Sequence, residues 1–404
     1  MDVLKRLKIT IYSEFLDEAY KLAVEEKEIP EWLKPEFLKE LNDDWGILEK
    51  NIDIALGALD QVVRNDDLVL LAKILYYILK IKGSDFDKCF KQLTLPDVSG
   101  DDEANIGYNC VSLFPTLAFA RSACEFMISR GFDEKMTISS MKGIDECFSA
   151  SITKKGYPSF NAYFAWTVYH IDARLVMFDT LQFQWVPVCS HPIRVYKNKD
   201  GQIKTFMDGV KIHRSGFLLN SAGCDDEEGS FEATVCETDE YYEGHIVNAE
   251  THLVEKELTR LSKSEWTQVM KPGEPSIDIH IPKGAKIDYE TCQAEFNRAR
   301  EIFSKTFPEY DFKIFTISTW MLAPELPNIL KPDSNILNFQ KMFNTYPLHG
   351  KGVGVFGFVF NILAASLDEI DYDTLSEDTS LMRGIKELYK SGGFIHEYGG
   401  HFLF

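Results

Sequence analysis

The spacing of apolar residues changes about 150 residues into this 404-residue chain. Before that point, stretches such as ILEKNIDIALGALDQVV, DDLVLLAKILYYILKIKG and FPTLAFARSACEFMISRGF repeat apolar residues every three or four positions, which is typical of amphipathic helices. After it, stretches rich in aromatic and β-branched residues, such as LVMFDTLQFQWVPV, alternate with helical patterns. We therefore predict an α+β chain (an α/β sandwich) with an all-helical domain over residues 1–150 and a second domain over residues 151–404. The second domain is expected to contain a central mixed, mostly antiparallel sheet.

Individual segments of the second domain carry their own predictions. In PSIDIHIP the alternation predicts a strand, with Ile277, Ile279 and Ile281 on one face and Asp278 and His280 on the other. DYETCQAEFNRAREIFSKTF predicts the strongest helix of this half, KSEWTQVM a short helix, and GVFGFVFN a strand.

Charge and cysteine content narrow the function classes. A formal net charge of −20, with no basic patch, argues against a nucleic-acid partner. No apolar run suits a signal peptide or reaches the roughly 20 residues of a membrane span, so we expect a cytoplasmic protein without a membrane partner. Eight scattered cysteines with no C-x-x-C pair predict free thiols rather than disulfides or structural zinc.

Two glycine-rich stretches come close to known binding motifs without matching them. In HGKGVGVFG, Gly352 follows Lys351 where a phosphate loop requires Ser or Thr, and the strand-like VFGFVF follows, so we predict a hairpin turn. In FIHEYGGHF, His396 and His401 are five residues apart with two glycines between them. One helical face cannot present both rings to zinc at that spacing, so we predict no metal site and a glycine-rich turn.

The residues alone leave the role of His280 open. There is no G-x-S-x-G elbow and no cysteine with a catalytic signature, and Cys292 is best explained as a small buried hydrophobe. Beside Asp278, the His280 imidazole could act as a general base near neutral pH. The alternative, which the pattern alone favours, is a half-exposed histidine that caps a loop.

Three stretches together resemble a known family: EWTQVMKPGEPSIDIHIPKGAKIDYETCQAEFNRAREIFSKTFPEY, TISTWMLAPELPNILKPDSNILNFQKMF and LSEDTSLMRGIKELYKSGG. With DARLVMFDTLQFQ upstream, the set is similar to bacterial acyltransferases in which a helical N-acyltransferase N-terminal domain precedes a GNAT-like C-terminal domain. The resemblance covers nearly the whole chain and is strongest after residue 160.

This resemblance implies a GNAT-like fold and transfer of an acyl group from acetyl-CoA or another acyl-CoA to the amine of a small-molecule acceptor. In such enzymes two central strands splay, their backbone N–H groups bind the thioester carbonyl, and a helix N-terminus takes the pyrophosphate. The resemblance implies His280 as the catalytic base. Asp278 would orient it only where the strand is irregular, because side chains two apart point the same way. The implied substrate-binding residues are Gln182, Gln184, Trp320 and Asn335.

One motif of the family is missing from the sequence. The glycine motif R/Q-x-x-G-x-G/A, with which GNAT enzymes hold pyrophosphate, is absent, and neither RGFDEK nor RSGFLL fits it. The alternative to an N-acyltransferase is therefore a GNAT-shaped protein that binds a small molecule or a partner without catalysis.

Overall fold

A computed structural model describes residues 2–98, 105–362 and 364–404 of the chain. The chain divides into two compact units, Met1–Phe178 and Asp179–Phe404. The domain boundary at residue 150, drawn from the sequence pattern, stays a prediction about which segments fold independently. Among the described residues, no helix is both long and apolar enough to cross a bilayer.

The first unit is built almost entirely of helices. Local signals start and stop them: the Asn65 side chain accepts hydrogen bonds from the backbone N–H groups of Asp67 and Leu68 at the start of one long helix, and Gly83 follows its end with φ of 84°. Such a cap stabilises a helix by about 1 kcal/mol. The helices are α1 Asp2–Arg6, α2 Leu16–Glu25, α3 Pro35–Trp45, α4 Ile52–Val63, α5 Asp66–Lys82, α6 Phe86–Cys89, α7 Ile106–Asn109, α8 Leu113–Ser129, α9 Glu134–Met141, α10 Gly143–Lys155 and α11 Phe164–Ile171.

Short strands accompany these helices. β1 (Thr10–Tyr12) and β2 (Gln92–Thr94) pair in antiparallel fashion, and β3 (Leu175–Met177) ends the unit. The prediction of a helical N-terminal region is confirmed, with this ribbon as an addition.

The second unit contains two sheets of five or more strands. Its strands are β4 Gln182–Val186, β5 Ile193–Asn198, β6 Ile203–Met207, β7 Val210–Ile212, β8 Phe231–Ala233, β9 Cys236–Glu237, β10 Tyr241–Val247, β11 Val254–Ser262, β12 Trp266–Met270, β13 Ser276–His280, β14 Ile314–Thr319, β15 Asn344–Pro347 and β16 Tyr398–Leu403. Its α-helices are α12 Tyr289–Thr306, α13 Asn335–Gln340, α14 Gly354–Val359 and α15 Ser380–Lys390.

The strand orders define two layers. The order β11-β10-β6-β5-β12, with β9 added to β10, forms an antiparallel sheet, and the order β15-β16-β14-β13-β4 forms a mixed sheet. In the mixed sheet β13 and β14 are parallel, whereas β13–β4, β14–β16 and β15–β16 are antiparallel. The helix α12 lies in the connection between the two parallel strands, as a parallel crossover requires. The predicted mixed, mostly antiparallel sheet is confirmed.

The mixed sheet is covered on both faces. On one face, Phe183, Phe315 and Phe402 surround Phe296 of α12, with ring centroids 4.8–6.2 Å apart. Burying each such ring stabilises the fold by roughly 1.5–3 kcal/mol. The other face packs against the antiparallel sheet, because Ile314 and Tyr346 share a buried apolar cluster with residues of β5, β6 and β12.

Four segment predictions were wrong, and each was overturned by tertiary contacts. KSEWTQVM contains strand β12, because Trp266 to Met270 pair with β5 along its edge. The overlapping segments HGKGVGVFG and GVFGFVFN contain helix α14, so neither the predicted hairpin turn nor the predicted strand forms there. The valines and phenylalanines that favour a strand are outweighed by packing.

The fourth wrong prediction is the C-terminal glycine turn. FIHEYGGHF leads into β16, which pairs with β14 and β15 inside the mixed sheet. Its glycines are required by close approach rather than by a turn, since a Cβ on Gly399 would lie 2.2 Å from the Tyr346 ring.

Candidate active site

A row of polar side chains crosses the middle of the mixed sheet. Strand register aligns Gln184 with Asp278, Asp278 with Thr316, and Thr316 with His401. Residues in register share a face, and these four lie on the face opposite α12, which looks toward the antiparallel sheet. Polar groups between two sheets are costly unless they are hydrogen-bonded, so this row indicates a specific network.

Asp278 is held as a carboxylate at the centre of this row. Its Oδ1 accepts a hydrogen bond of 2.6 Å from the Thr316 hydroxyl and lies 3.6 Å from His191 Nε2. Burial would raise the pKa of Asp278, but His191, the charge of His280 and the Thr316 hydroxyl together lower that pKa to about 2. Asp278 therefore carries a negative charge at neutral pH.

His280 ends strand β13 beside this charge. Its Nε2 lies 2.9 Å from Gln184 Oε1, and an amide oxygen can only accept, so the hydrogen sits on Nε2 and the lone pair on Nδ1. Burial lowers the pKa of His280, and the charge of Asp278 only partly opposes this. A neutral imidazole at pH 7 can take a proton, which is the requirement for a general base.

The pairing of the two parallel strands ends next to His280. Their register pairs only Ile277 with Phe315 and Asp278 with Thr316, among the residues that the structure describes. Beyond Asp278, β13 continues on β4 and β14 continues on β16. The pairing ends toward the carboxyl ends of the parallel strands, which is where ligands bind in open sheets of this kind.

The connection between β13 and α12, directly after His280, contains two lysines. Lys283 and Lys286 are exposed there, flanking Gly284 with φ of 84°. Asp288 then caps α12 by accepting a 3.0 Å hydrogen bond from the Thr291 N–H. The first turn of this 18-residue helix adds the positive end of its dipole, which the Asp288 carboxylate and Glu290 of the same turn partly offset.

The remaining predicted site residues lie on three different elements of the second unit. Gln182 is half-buried and in register with His280 on the neighbouring strand. Trp320 is buried and begins a 3₁₀ turn directly after β14. Asn335 is exposed at the start of α13, where the preceding Ser334 is the N-cap and accepts a hydrogen bond from the Leu337 N–H.

Sequence reasoning missed three members of the network. Thr316, His191 and Tyr346 come from separate segments, and the Tyr346 phenol oxygen lies 2.6 Å from His191 Nδ1. Thr316 could have been inferred from the alternation of FKIFTIS, which puts it on the same face as Ile314. Only the tertiary fold brings the other two, one from a connection and one from β15, to Asp278.

The two histidines of the rejected zinc motif have other partners. His396 bonds Glu325 Oε1 at 2.7 Å, and His401 Nε2 lies 2.7 Å from the Thr205 hydroxyl. In the described ranges, no group of three or more His, Cys, Asp or Glu side chains is arranged to hold a metal ion.

The fold of this chain is similar to that of several solved acyltransferase structures. An acyltransferase in complex with CoA and 10C-teicoplanin is 16% identical, with a TM-score of 0.62 over 100% of this chain and 98% of that one. A mutant acyltransferase in complex with octanoyl-CoA is 17% identical, with the same TM-score and coverage. A third, in complex with decanoyl-CoA and teicoplanin, is 17% identical, with a TM-score of 0.59 over 90% of this chain and 88% of that one.

Sequence comparison gives the family. No curated protein matches the chain. The family model of the GNAT-like C-terminal domain matches residues 175–402, which is more than half of the chain and includes every residue of the polar row. The protein therefore belongs to the family defined by the GNAT-like C-terminal domain.

Proposed function

We propose that this protein is an acyl-CoA-dependent N-acyltransferase that acylates an amine of a small molecule. The observation that carries the proposal is that the parallel pairing of β13 and β14 ends at Asp278, two residues before His280. The solved acyltransferases of this fold, in complex with octanoyl-CoA or decanoyl-CoA, support an acyl-CoA as the donor. The eight free cysteines fit a reducing compartment, so we propose a cytoplasmic location.

In this reaction the chain positions the partners and moves one proton. The neutral amine attacks the thioester carbon, the C–N bond forms, and the C–S electron pair leaves with the CoA thiolate. His280 Nδ1 takes the proton that the attacking nitrogen loses, and the thiolate then gains a proton. Asp278, with its Oδ2 4.0 Å from His280 Nε2, stabilises the resulting imidazolium.

Other residues of the site receive roles within this proposal. Gln184 holds the imidazole of His280 in the tautomer that leaves the lone pair on Nδ1. We propose that backbone groups at the place where the pairing of β13 and β14 ends bind the thioester oxygen. Gln182, Trp320 and Asn335 remain proposed substrate contacts.

The donor phosphates are proposed to bind at the connection between β13 and α12. Lys283 and Lys286 supply positive charge there without the glycine motif that the sequence lacks, and Asp288 and Glu290 at the start of α12 partly offset it. These lysines support binding of the donor phosphates by a sequence other than the R/Q-x-x-G-x-G/A motif.

Calorimetric titration with acetyl-, octanoyl- and decanoyl-CoA and with free CoA tests the proposal. We expect micromolar binding and a preference among the chain lengths. Lys286→Ala should weaken binding roughly two- to fivefold, as for an exposed ion pair, whereas Lys331→Ala, at an exposed lysine outside the site, should not. No detectable binding of any of the four compounds would contradict the assignment of an acyl-CoA as the donor.

The alternative function is a GNAT-shaped binding protein without transfer. The missing R/Q-x-x-G-x-G/A motif is the observation that favours it. Saturable acyl-CoA binding without release of CoA thiol, across a panel of primary amines and amino sugars, would support this alternative over the enzyme.

A further inference from the structure

The network around Asp278 extends away from His280 into two other segments. The phenol oxygen of Tyr346, on β15, lies 2.6 Å from Nδ1 of His191, which belongs to the connection between β4 and β5. The second ring nitrogen, His191 Nε2, lies 3.6 Å from Asp278 Oδ1. Three segments that are distant in sequence therefore meet in a chain of contacts that ends at one carboxylate.

The Tyr346 phenol fixes the direction of the polar contacts between Tyr346, His191 and Asp278. Burial raises the pKa of Tyr346 well above its ordinary value, so the phenol keeps its hydrogen. The phenol is fully buried, and donating to His191 Nδ1 satisfies it. Nδ1 is then the acceptor, and the imidazole hydrogen sits on Nε2, which faces Asp278. At 3.6 Å this last contact is longer than a hydrogen bond and acts electrostatically.

The position of Tyr346 is fixed by a specific packing feature. Its ring lies against Gly399 so closely that a Cβ there would be 2.2 Å from the ring. The same ring meets His191 edge to face, with centroids 5.8 Å apart and an interplanar angle of 82°. Neither side chain can move far without disturbing the mixed sheet.

The charges around Asp278 show what this chain of contacts can do. The titratable groups that face it are His191, His280, Tyr346 and Cys189, and the two histidines are those that can become cations. When His280 takes a proton, Asp278 must already be ionised in order to stabilise it. His191, on the opposite side of the carboxylate, favours that ionised form.

We propose that His191 and Tyr346 are positioning residues for proton transfer, which keep the Asp278 carboxylate ionised and aligned beside His280. This inference rests on the proposed function, in which His280 is the base. It predicts that the two residues affect turnover through Asp278 and not through donor binding.

A graded set of variants tests this role. His191→Leu removes both ring nitrogens, His191→Gln restores an N–H donor near the Nε2 position, and Tyr346→Phe removes only the hydroxyl. We expect His191→Leu to lower kcat roughly tenfold or more, a loss typical of outer partners of functional groups, with Kd for octanoyl-CoA unchanged. His191→Gln should recover part of the rate, and Tyr346→Phe should lose less than His191→Leu.

A second measurement does not depend on turnover. In protein labelled with ¹³C at the aspartate carboxyl carbons, the Asp278 resonance, assigned by its loss in Asp278→Asn, should not titrate between pH 4 and 7. In His191→Leu it should begin to titrate within that window. If the wild type proves inactive, this titration still decides whether His191 holds Asp278 ionised. An unchanged Asp278 titration in folded His191→Leu protein would overturn the inference.

Discussion

His280 and Asp278 lie on the same face of β13, with His280 Nε2 4.0 Å from Asp278 Oδ2. This separation is too long for a hydrogen bond, so the carboxylate acts on the imidazole through its charge, while Gln184 supplies the hydrogen bond that orients the ring. In a catalytic triad, by contrast, the carboxylate itself accepts the hydrogen bond that orients the histidine. Here the charge of Asp278 is therefore testable apart from the orientation of His280.

Asp278→Asn should shift the pH dependence of transfer to lower pH. The charge of Asp278 raises the pKa of His280, in opposition to the lowering by burial. Removing that charge lowers the pKa further, so the acid limb of the kcat/KM profile moves to lower pH and the plateau falls by about tenfold or more, because a weaker base transfers the proton less well. A limb that stays in place, or moves to higher pH, would contradict this electrostatic role.

His401 should make the protein sensitive to acid. Burial, and secondarily the charge of His191, lowers the pKa of His401 to about 3, whereas an unfolded histidine titrates near 6.5. Between these values the unfolded chain binds a proton that the folded chain does not, so stability is full above about pH 6.5 and falls as pH drops toward 3. The full loss is about 5 kcal/mol.

Urea unfolding at pH 7, 6 and 5 measures this effect. The free energy of unfolding of wild type should decline across the series more steeply than that of His401→Gln. His401→Gln is expected to be less stable at pH 7, since it disturbs the contact with Thr205, so the comparison is between pH slopes. Parallel slopes would show that His401 is not the group responsible.

Local periodicity was sufficient to predict the helical first unit, helix α12 and the alternation of β13. These elements carry their own signals, such as the Asn65 cap of α5 and the alternation of isoleucines around Asp278. Strand β12 and helix α14 were predicted wrongly because their conformation depends on partners elsewhere in the chain.

The residues of the candidate site also fall into those that the sequence indicated and those that it did not. His280, Asp278 and Gln184 were reachable because two lie on one strand and the resemblance pointed to His280 and Gln184. His191 and Tyr346 lie in segments whose sequences show no chemical motif. Their proximity to Asp278 follows from the order and register of the strands, which no local pattern specifies.

Gly399→Ala should destabilise the mixed sheet. The added Cβ would lie 2.2 Å from the Tyr346 ring, and relieving that overlap should cost about 1–3 kcal/mol of unfolding free energy. Gly57→Ala is the matched control, because Gly57 lies inside α4 with nothing within 4 Å of the new Cβ. It should stabilise the protein by up to about 1 kcal/mol. A neutral Gly399→Ala would mean that Tyr346 can move freely, against the packing described here.

Release of CoA thiol by wild type and by His280→Gln, with octanoyl-CoA and a panel of amines, tests directly whether His280 is the catalytic base. We expect amine-dependent release by wild type. We expect a loss of kcat of about 100-fold or more in folded His280→Gln, with Kd for the acyl-CoA unchanged, because the variant lacks the proton acceptor but keeps the donor site. An active wild type whose rate is unaffected by the substitution would contradict the assignment of His280 as the base.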